Sequence, residues 1–258
     1  MPDKDTHCHL TEAEWLTELN DVRSEVSIPG YWDVIGTNCQ NWAKEVSANP
    51  FWASAKEQLT QWISEYRSMT GGPLLARPGL PDFNPKDVNR IRSKMYQERK
   101  KNNAYKGLPV DGPPVPILND LVRTRISCLF IDGVEFLASK LFQLANTMGL
   151  NPIHSREGRL EGYFAQHLNF KLDVFYRFGG VNKPTQINCE IQLATELSTR
   201  IWEATHIFYE ESRESKEISF EWQWNPKDPL FVSHQLGHMI HLADGLLVQL
   251  REAMPLKK

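Results

Sequence analysis

The sequence lacks the features that mark secreted, membrane-spanning or metal-stapled chains. Its four cysteines, Cys8, Cys39, Cys128 and Cys189, form no C-x-x-C pair and are too sparse for a disulfide scaffold. They read as reduced thiols in a cytosol, which makes a cytoplasmic location the expectation. No apolar run approaches the roughly 20 residues that a bilayer span needs. The opening Met-Pro-Asp-Lys-Asp has no apolar signal core, and no membrane association is expected. Charge of one sign is not in excess: the formal net charge is −3, so the chain as a whole does not attract nucleic acid or membrane electrostatically. Internal repeats and low-complexity tracts are absent.

What is present is ordinary globular material. The 258 residues are 41% hydrophobic and 24% charged, enough for one large α/β domain or a catalytic domain with a helical extension. Apolar residues recur at helical spacing from Thr11 to about Thr70. Thr11 with Glu14 reads as a capping box. Trp15, Leu16 and Leu19 form one stripe, and Trp42, Val46, Trp52, Leu59, Trp62 and Tyr66 continue the pattern, which points to helix-packing core. Gly71-Gly72-Pro73 breaks the run, and a Pro-rich connector leads to Pro85. Residues 86–101 read as a basic helix. A second Pro-rich loop, Gly107 to Pro116, is the longest candidate for a mobile segment over a site. His7-Cys8-His9 has metal-binding residue types but no further ligands nearby.

Beyond the loop the periodicity changes. Thr124 to Ile131 is a β-branched, aromatic-rich run, hence a strand. Val134 to Met148 is a helix ended by Gly149. His167 to Phe178 alternates, with Leu168, Phe170, Leu172 and Val174 on one side. Thr185 to Leu193 alternates as well. Residues 194–212 and 231–253 are helical. The order predicts an α+β fold, a mixed β-sheet flanked by helices. Three segments are expected: an N-terminal helical extension over 1–74, a catalytic domain over 75–212, and a C-terminal helical segment over 213–258 packing on it.

Four features carry chemistry. In the Thr185–Leu193 strand, Glu190 and Gln192 project on the face opposite Cys189, where a carboxylate beside an amide can hold Mg²⁺ or orient a hydroxyl. Asp120 enters a core strand among Ile117, Leu118, Leu121 and Val122, and a buried carboxylate needs a partner. Arg123 or Arg125 would satisfy it structurally, a metal functionally. Lys86, Arg90 and Lys94 recur every four residues and would share one helix face, suited to a polyphosphate. Gly162-Tyr163 at the mouth of a strand places an aromatic where a base can stack; the plainer reading is that Tyr163 caps the core.

The order of these blocks resembles the synthetase domain of the RelA/SpoT family, the alarmone pyrophosphokinases, over roughly residues 75–212. The carrying residues are Lys86 and Lys94, Asp120-Leu-Val-Arg-Thr-Arg125-Ile, Gly162-Tyr163-Phe-Ala-Gln-His167, Glu190-Ile-Gln192-Leu-Ala-Thr195, Trp202 and His206-Ile-Phe-Tyr209. The resemblance implies a standalone small synthetase that moves pyrophosphate from ATP to the ribose 3′-hydroxyl of GDP or GTP. It implies that Asp120 and Glu190 hold Mg²⁺, with Glu190 alternatively accepting the hydroxyl proton, and that Gln192 orients that hydroxyl. Tyr163 would stack on the acceptor base. Lys86, Arg90 and Lys94 would grip ATP phosphates and Arg125 would support the site; His167 and His206 complete the substrate-binding set. The chain departs from the family pattern at Asn84, Arg90, Arg123, Phe164, Ala194 and Glu210, several of them positions that meet nucleotide phosphates in the family.

Those departures keep two alternatives in play. One is a toxic relative that modifies the tRNA 3′ end or adenine nucleotides and is restrained by an antitoxin protein, a reading that the cluster Arg99-Lys100-Lys101 favours. The other is an inactive nucleotide-sensing module, against which the surviving Asp120 and Glu190 argue. The Trp-rich helices would pack on the domain, mediate homo-oligomerisation or receive an inhibitor. His234, His238 and His241, at i, i+4 and i+7, have zinc-compatible spacing; a packed helix face is the simpler expectation.

Overall fold

A computed structural model describes residues 10–159, 162–214 and 221–253, with the side chains of 206–214 and of residue 221 left outside the description. The fold is α+β. Its helices are α1 (Glu12–Val22), α2 (Tyr31–Ser47), α3 (Pro50–Thr70), α4 (Val88–Lys101), α5 (Ile131–Thr147), α6 (Glu196–Glu214) and α7 (Pro229–Ala253). The strands are β1 (Asn84–Pro85), β2 (Val122–Cys128), β3 (Ile153–Gly158), β4 (Phe164–Phe178) and β5 (Val181–Thr195). They form one mixed sheet in the order β1-β2-β5-β4-β3. The metal-binding residue types of His7-Cys8-His9 lie outside the described residues.

Two compact units make up the chain. The first gathers the described residues up to Asn49 with Asp82–Thr124 and Asn169–Glu190. Thr11 caps α1 in the expected reciprocal box with Glu14. Trp15, Leu19, Tyr31, Ile35, Trp42, Ile91 and Met95 are buried. Buried polar atoms are matched to backbone: Trp42 Nε1 donates to the Phe175 carbonyl, and Asn38 exchanges two hydrogen bonds with the Arg177 backbone. The Gly107–Pro116 loop is strapped down. Arg23 donates to the carbonyls of Pro109, Val110 and Gly112, Tyr31 Oη donates to that of Pro114, and Leu108 and Val115 are buried. These ties set it apart from the mobile cover expected of its composition.

The second unit comprises Pro50–Pro81, Arg125–Leu168 and the described part of the chain from Ile191 onward. Trp52, Leu59, Trp62 and Tyr66 line its core with Leu74, Leu137 and Leu141. The apolar spacing of α3 therefore buries one face, as expected, and Gly71-Gly72 ends the helix. Arg251 of α7 donates to both Tyr66 Oη and Asp132, tying the last helix to α3 and α5. Along β4, Leu168 of this unit and Phe170, Leu172 and Val174 of the first are buried while Lys171, Asp173 and Phe175 are exposed, the predicted period of two. Gly179 and Gly180, both at positive φ, make the two-residue turn into β5.

Candidate functional site

In the first unit, local chain geometry gathers the expected phosphate-binding residues around Asp120. Asp87 caps α4 by accepting from the backbone N–H groups of Asn89 and Arg90, so the helix begins at Val88. Lys86 therefore precedes the helix instead of sharing a helical face with Arg90 and Lys94, which corrects the expectation of a helix from 86. It is placed by pairing: β1 runs antiparallel to β2, with Pro85 opposite Val122, and the Lys86 N–H donates to the Leu121 carbonyl. That register sets the Lys86 side chain beside Asp120, the residue that leads into β2.

Asp120 is 5% exposed, and both its carboxylate oxygens are taken. Lys86 Nζ donates to Oδ2 at 2.6 Å, Lys94 Nζ to Oδ1 at 2.9 Å, and Arg123 Nη1 stands 3.9 Å away. Arg123 is thus a partner of Asp120, as expected, but a distant one, and the two lysines make the close contacts; Arg125 turns elsewhere. Burial by itself pushes the Asp120 carboxyl up. The ammonium groups of Lys94 and Lys86 outweigh it and hold the group down at about 2. Burial also pulls Lys86 below the ordinary lysine value, against the attraction of Asp120. Three cations surround one carboxylate, and the excess positive charge faces solvent through Lys94 and Arg123, each about a third exposed along its side chain. Arg90 is exposed one turn before Lys94 on α4.

Glu190 is buried on β5. Asn188, two residues earlier, donates to the Leu118 carbonyl and to Asn119 Oδ1, at 3.4 and 3.3 Å. Residues two apart on a strand share a face, so Glu190 projects on the side of β5 to which the segment entering Asp120 is tied. The strand alternation puts Asn188 on that face but assigns it no role; its signal in the sequence is the amide two residues before the acid.

A pH prediction follows from Asp120. A carboxylate whose folded value is depressed stabilises the fold above its unfolded value and loses that contribution as pH falls through the folded one. In acid unfolding, the wild type is expected to lose stability between about pH 4 and about 2. Asp120→Asn is expected to be less stable at neutral pH and to lack that component. An unchanged acid profile in the variant would count against the ion cluster.

In the second unit, Gln192 Oε1 accepts from Arg125 Nε and Nη2 at 3.3 and 3.2 Å, and Arg125 Nη1 lies 3.9 Å from Glu203. The guanidinium thereby fixes the amide through its oxygen. Tyr163 Oη and His167 Nε2 are hydrogen-bonded at 3.1 Å, and the Tyr163 ring packs on Trp202 at 4.7 Å between centroids. Arg159 lies 5.3 Å over the same ring, a cation–π partner that the sequence pattern does not signal. A small cleft opens beside Tyr163, lined by Trp202, Ser198, Thr205 and Gly237 among others. The side chain of His206 lies outside the described residues. His241 stacks on Phe164 at 3.7 Å, His238 meets it edge-on, and His234 packs edge-on against Trp222. This is the packed helix face expected of them.

Among the described residues, no group of three or more His, Cys, Asp and Glu is arranged to hold a metal. Magnesium asks for less, since it is commonly held by one or two carboxylates plus substrate phosphates. Asp120 and Glu190 are hard oxygen donors of the kind this ion takes, but both Asp120 oxygens already accept from lysines, so an ion there would have to share them.

In fold, the chain is similar to the small alarmone synthetase 1 from Bacillus subtilis bound to its product pppGpp. The identity is 14% and the TM-score 0.49, over 82% of this chain and 97% of that one. It is also similar to a GTP pyrophosphokinase family protein from Streptococcus pneumoniae, at 15% identity and TM-score 0.41, over 83% and 98%. No family model matches the chain, and no curated protein matches it. No helix among the described residues is long and apolar enough to cross a membrane.

Proposed function

We propose that the chain is a pyrophosphokinase that transfers the β,γ-pyrophosphate of ATP to the ribose 3′-hydroxyl of GDP or GTP. The observation that carries the reading is the Asp120 cluster, an ionised carboxylate gripped by Lys86 and Lys94 with surplus positive charge facing outward. That surplus suits a polyphosphate, and the carboxylate suits the cation that accompanies it. Together with the motif resemblance it supports reading the first unit's residues as the ATP side of the site.

Lys94, Arg90 and Arg123 bind phosphate oxygens, and Lys86 holds Asp120 in place. Asp120 would hold Mg²⁺, which when bound would supply charge neutralisation along the phosphates. The ribose 3′-oxygen attacks the β-phosphorus, the bond from that phosphorus to the α,β-bridging oxygen breaks, and AMP leaves. Glu190 takes the hydroxyl proton. Gln192, set by Arg125, donates to the hydroxyl oxygen and orients it, and Tyr163 offers its ring to the acceptor base.

The tRNA reading loses part of its support. Of the Arg99-Lys100-Lys101 cluster, Arg99 is paired with Glu18 of α1 and Lys100 lies over Tyr96. The test is incubation with β,γ-labelled ATP and Mg²⁺ and, in turn, GDP, GTP, ADP and bulk tRNA. Label is expected in the guanine nucleotides, with Glu190→Gln slower by at least about 10²-fold, the usual contribution of a positioned base. Label in tRNA or ADP reassigns the acceptor, and no transfer to any acceptor overturns the proposal.

A further inference from the structure

Arg159 and Tyr163 meet across the turn between β3 and β4. The Arg159 N–H donates to the Tyr163 carbonyl, and the Gly162 N–H donates to the Arg159 carbonyl, at 3.0 and 2.9 Å. Residues paired across strands in this way carry their side chains on one face, and the guanidinium accordingly lies 5.3 Å over the phenol ring. Glu157, two residues before Arg159, braces it. Its Oε2 accepts from Arg159 Nε at 2.9 Å and from Nη2 at 2.6 Å. The guanidinium is thus held side-on, with its Nη1–Nη2 end directed away from the carboxylate.

An arginine beside a surface aromatic ordinarily contributes packing alone. Here the ring is the one offered to the acceptor base, and its approaches differ. Toward Trp202 it is packed at 4.7 Å between centroids, the cleft beside it is small, and α7 seats backbone to backbone on the Gly162 turn. Toward Arg159 the way is open, since that side chain is 40% exposed. A base that reaches Tyr163 therefore meets the guanidinium. Stacking by itself does not choose among bases, because every base has a π-face; choice needs a partner at the base edge. A guanidinium carries only donors, set in a rigid fork. Guanine offers that fork adjacent acceptors, O6 and N7, whereas adenine places an amino donor beside N7.

The geometry points to Arg159 as the residue that selects the acceptor. A guanine stacks on Tyr163, and the guanidinium, braced by Glu157, moves from over the ring to O6 and N7 at the base edge. This assignment rests on the pyrophosphokinase reading above. The test measures transfer from labelled ATP to GDP, IDP, ADP and 7-deaza-GDP, the last of which keeps O6 and lacks N7. In the wild type, GDP and IDP are expected to exceed ADP and 7-deaza-GDP in kcat/KM by at least about tenfold, the scale of a charge-assisted contact to a base. In Arg159→Gln and Arg159→Lys those ratios are expected to collapse toward one through the KM for GDP, with kcat at saturating GDP retained. Ratios that keep their wild-type values in both variants overturn the assignment and leave the pyrophosphokinase reading standing. So does a wild type that treats GDP and 7-deaza-GDP alike, and so does a fall in kcat for every acceptor, which marks a structural role. A wild type that transfers to no acceptor overturns the pyrophosphokinase reading and this assignment with it.

Discussion

Asp120→Ala is expected to destabilise the protein by about 3–5 kcal/mol, the usual cost of removing one partner of a buried ion pair. The size follows from what it leaves behind. The Lys86 side chain is 8% exposed and, among the described residues, its ammonium has Asp120 as its one anionic partner. Lys86→Met should cost less, because Asp120 keeps Lys94 and Arg123 nearby and Lys94 is open to water. The double variant Lys86→Met with Asp120→Leu replaces the pair by apolar groups and should recover most of the loss, since such swaps are often neutral or better. None of the three should transfer pyrophosphate. Urea unfolding beside the labelled-ATP assay separates the two roles: stability returns in the double variant and activity does not. If Asp120→Ala unfolds at the wild-type midpoint, the buried cluster does not hold the fold together. If the double variant is active, Asp120 has no part in catalysis.

How much of this was legible depends on the range of the interactions. The tryptophan-rich helices were readable because each buries a stripe set by local periodicity, and the β4 alternation for the same reason. The β2 and β5 blocks were readable by order, and their buried acids by the oddity of a carboxylate among apolar neighbours. Lys86 was misplaced by one structural element. Its spacing to Arg90 looked helical, but the Asp87 cap immediately after it settles where α4 starts. The short β1 and the polar β3, with sequence His-Ser-Arg-Glu-Gly after Ile153, carry no apolar alternation, so their pairing partners decide them, β2 nearly forty residues on for β1 and the adjacent β4 for β3. The same holds for the strapped loop, whose composition signalled irregular backbone and whose anchors, Arg23 and Tyr31, lie some eighty residues earlier.

One contact of the second unit was invisible in sequence and carries the other large effect. Gly162 and Gly237 meet backbone to backbone where α7 crosses the turn before β4. A Cβ on Gly162 would stand 2.5 Å from the His234 carbonyl oxygen, and one on Gly237 would press on the Gly162 carbonyl, 2.9 Å from its Cα. Glycine to alanine inside a helix ordinarily stabilises by about 1 kcal/mol. At Gly237 the sign should reverse, to a loss of roughly 1–3 kcal/mol from overpacking. At Gly162, φ of +76° adds backbone strain to the clash. Gly245, eight residues along the same helix, would have nothing within 4 Å of an added methyl and is the control, since Gly245→Ala should raise the melting temperature. The two clashing variants should also be sub-additive. Once one methyl has pushed α7 off the turn, the second meets a gap already opened, so the double variant should lose less than the sum of the singles. Full additivity in thermal unfolding would mean that the two glycines act separately and that α7 is not seated on the Gly162 turn.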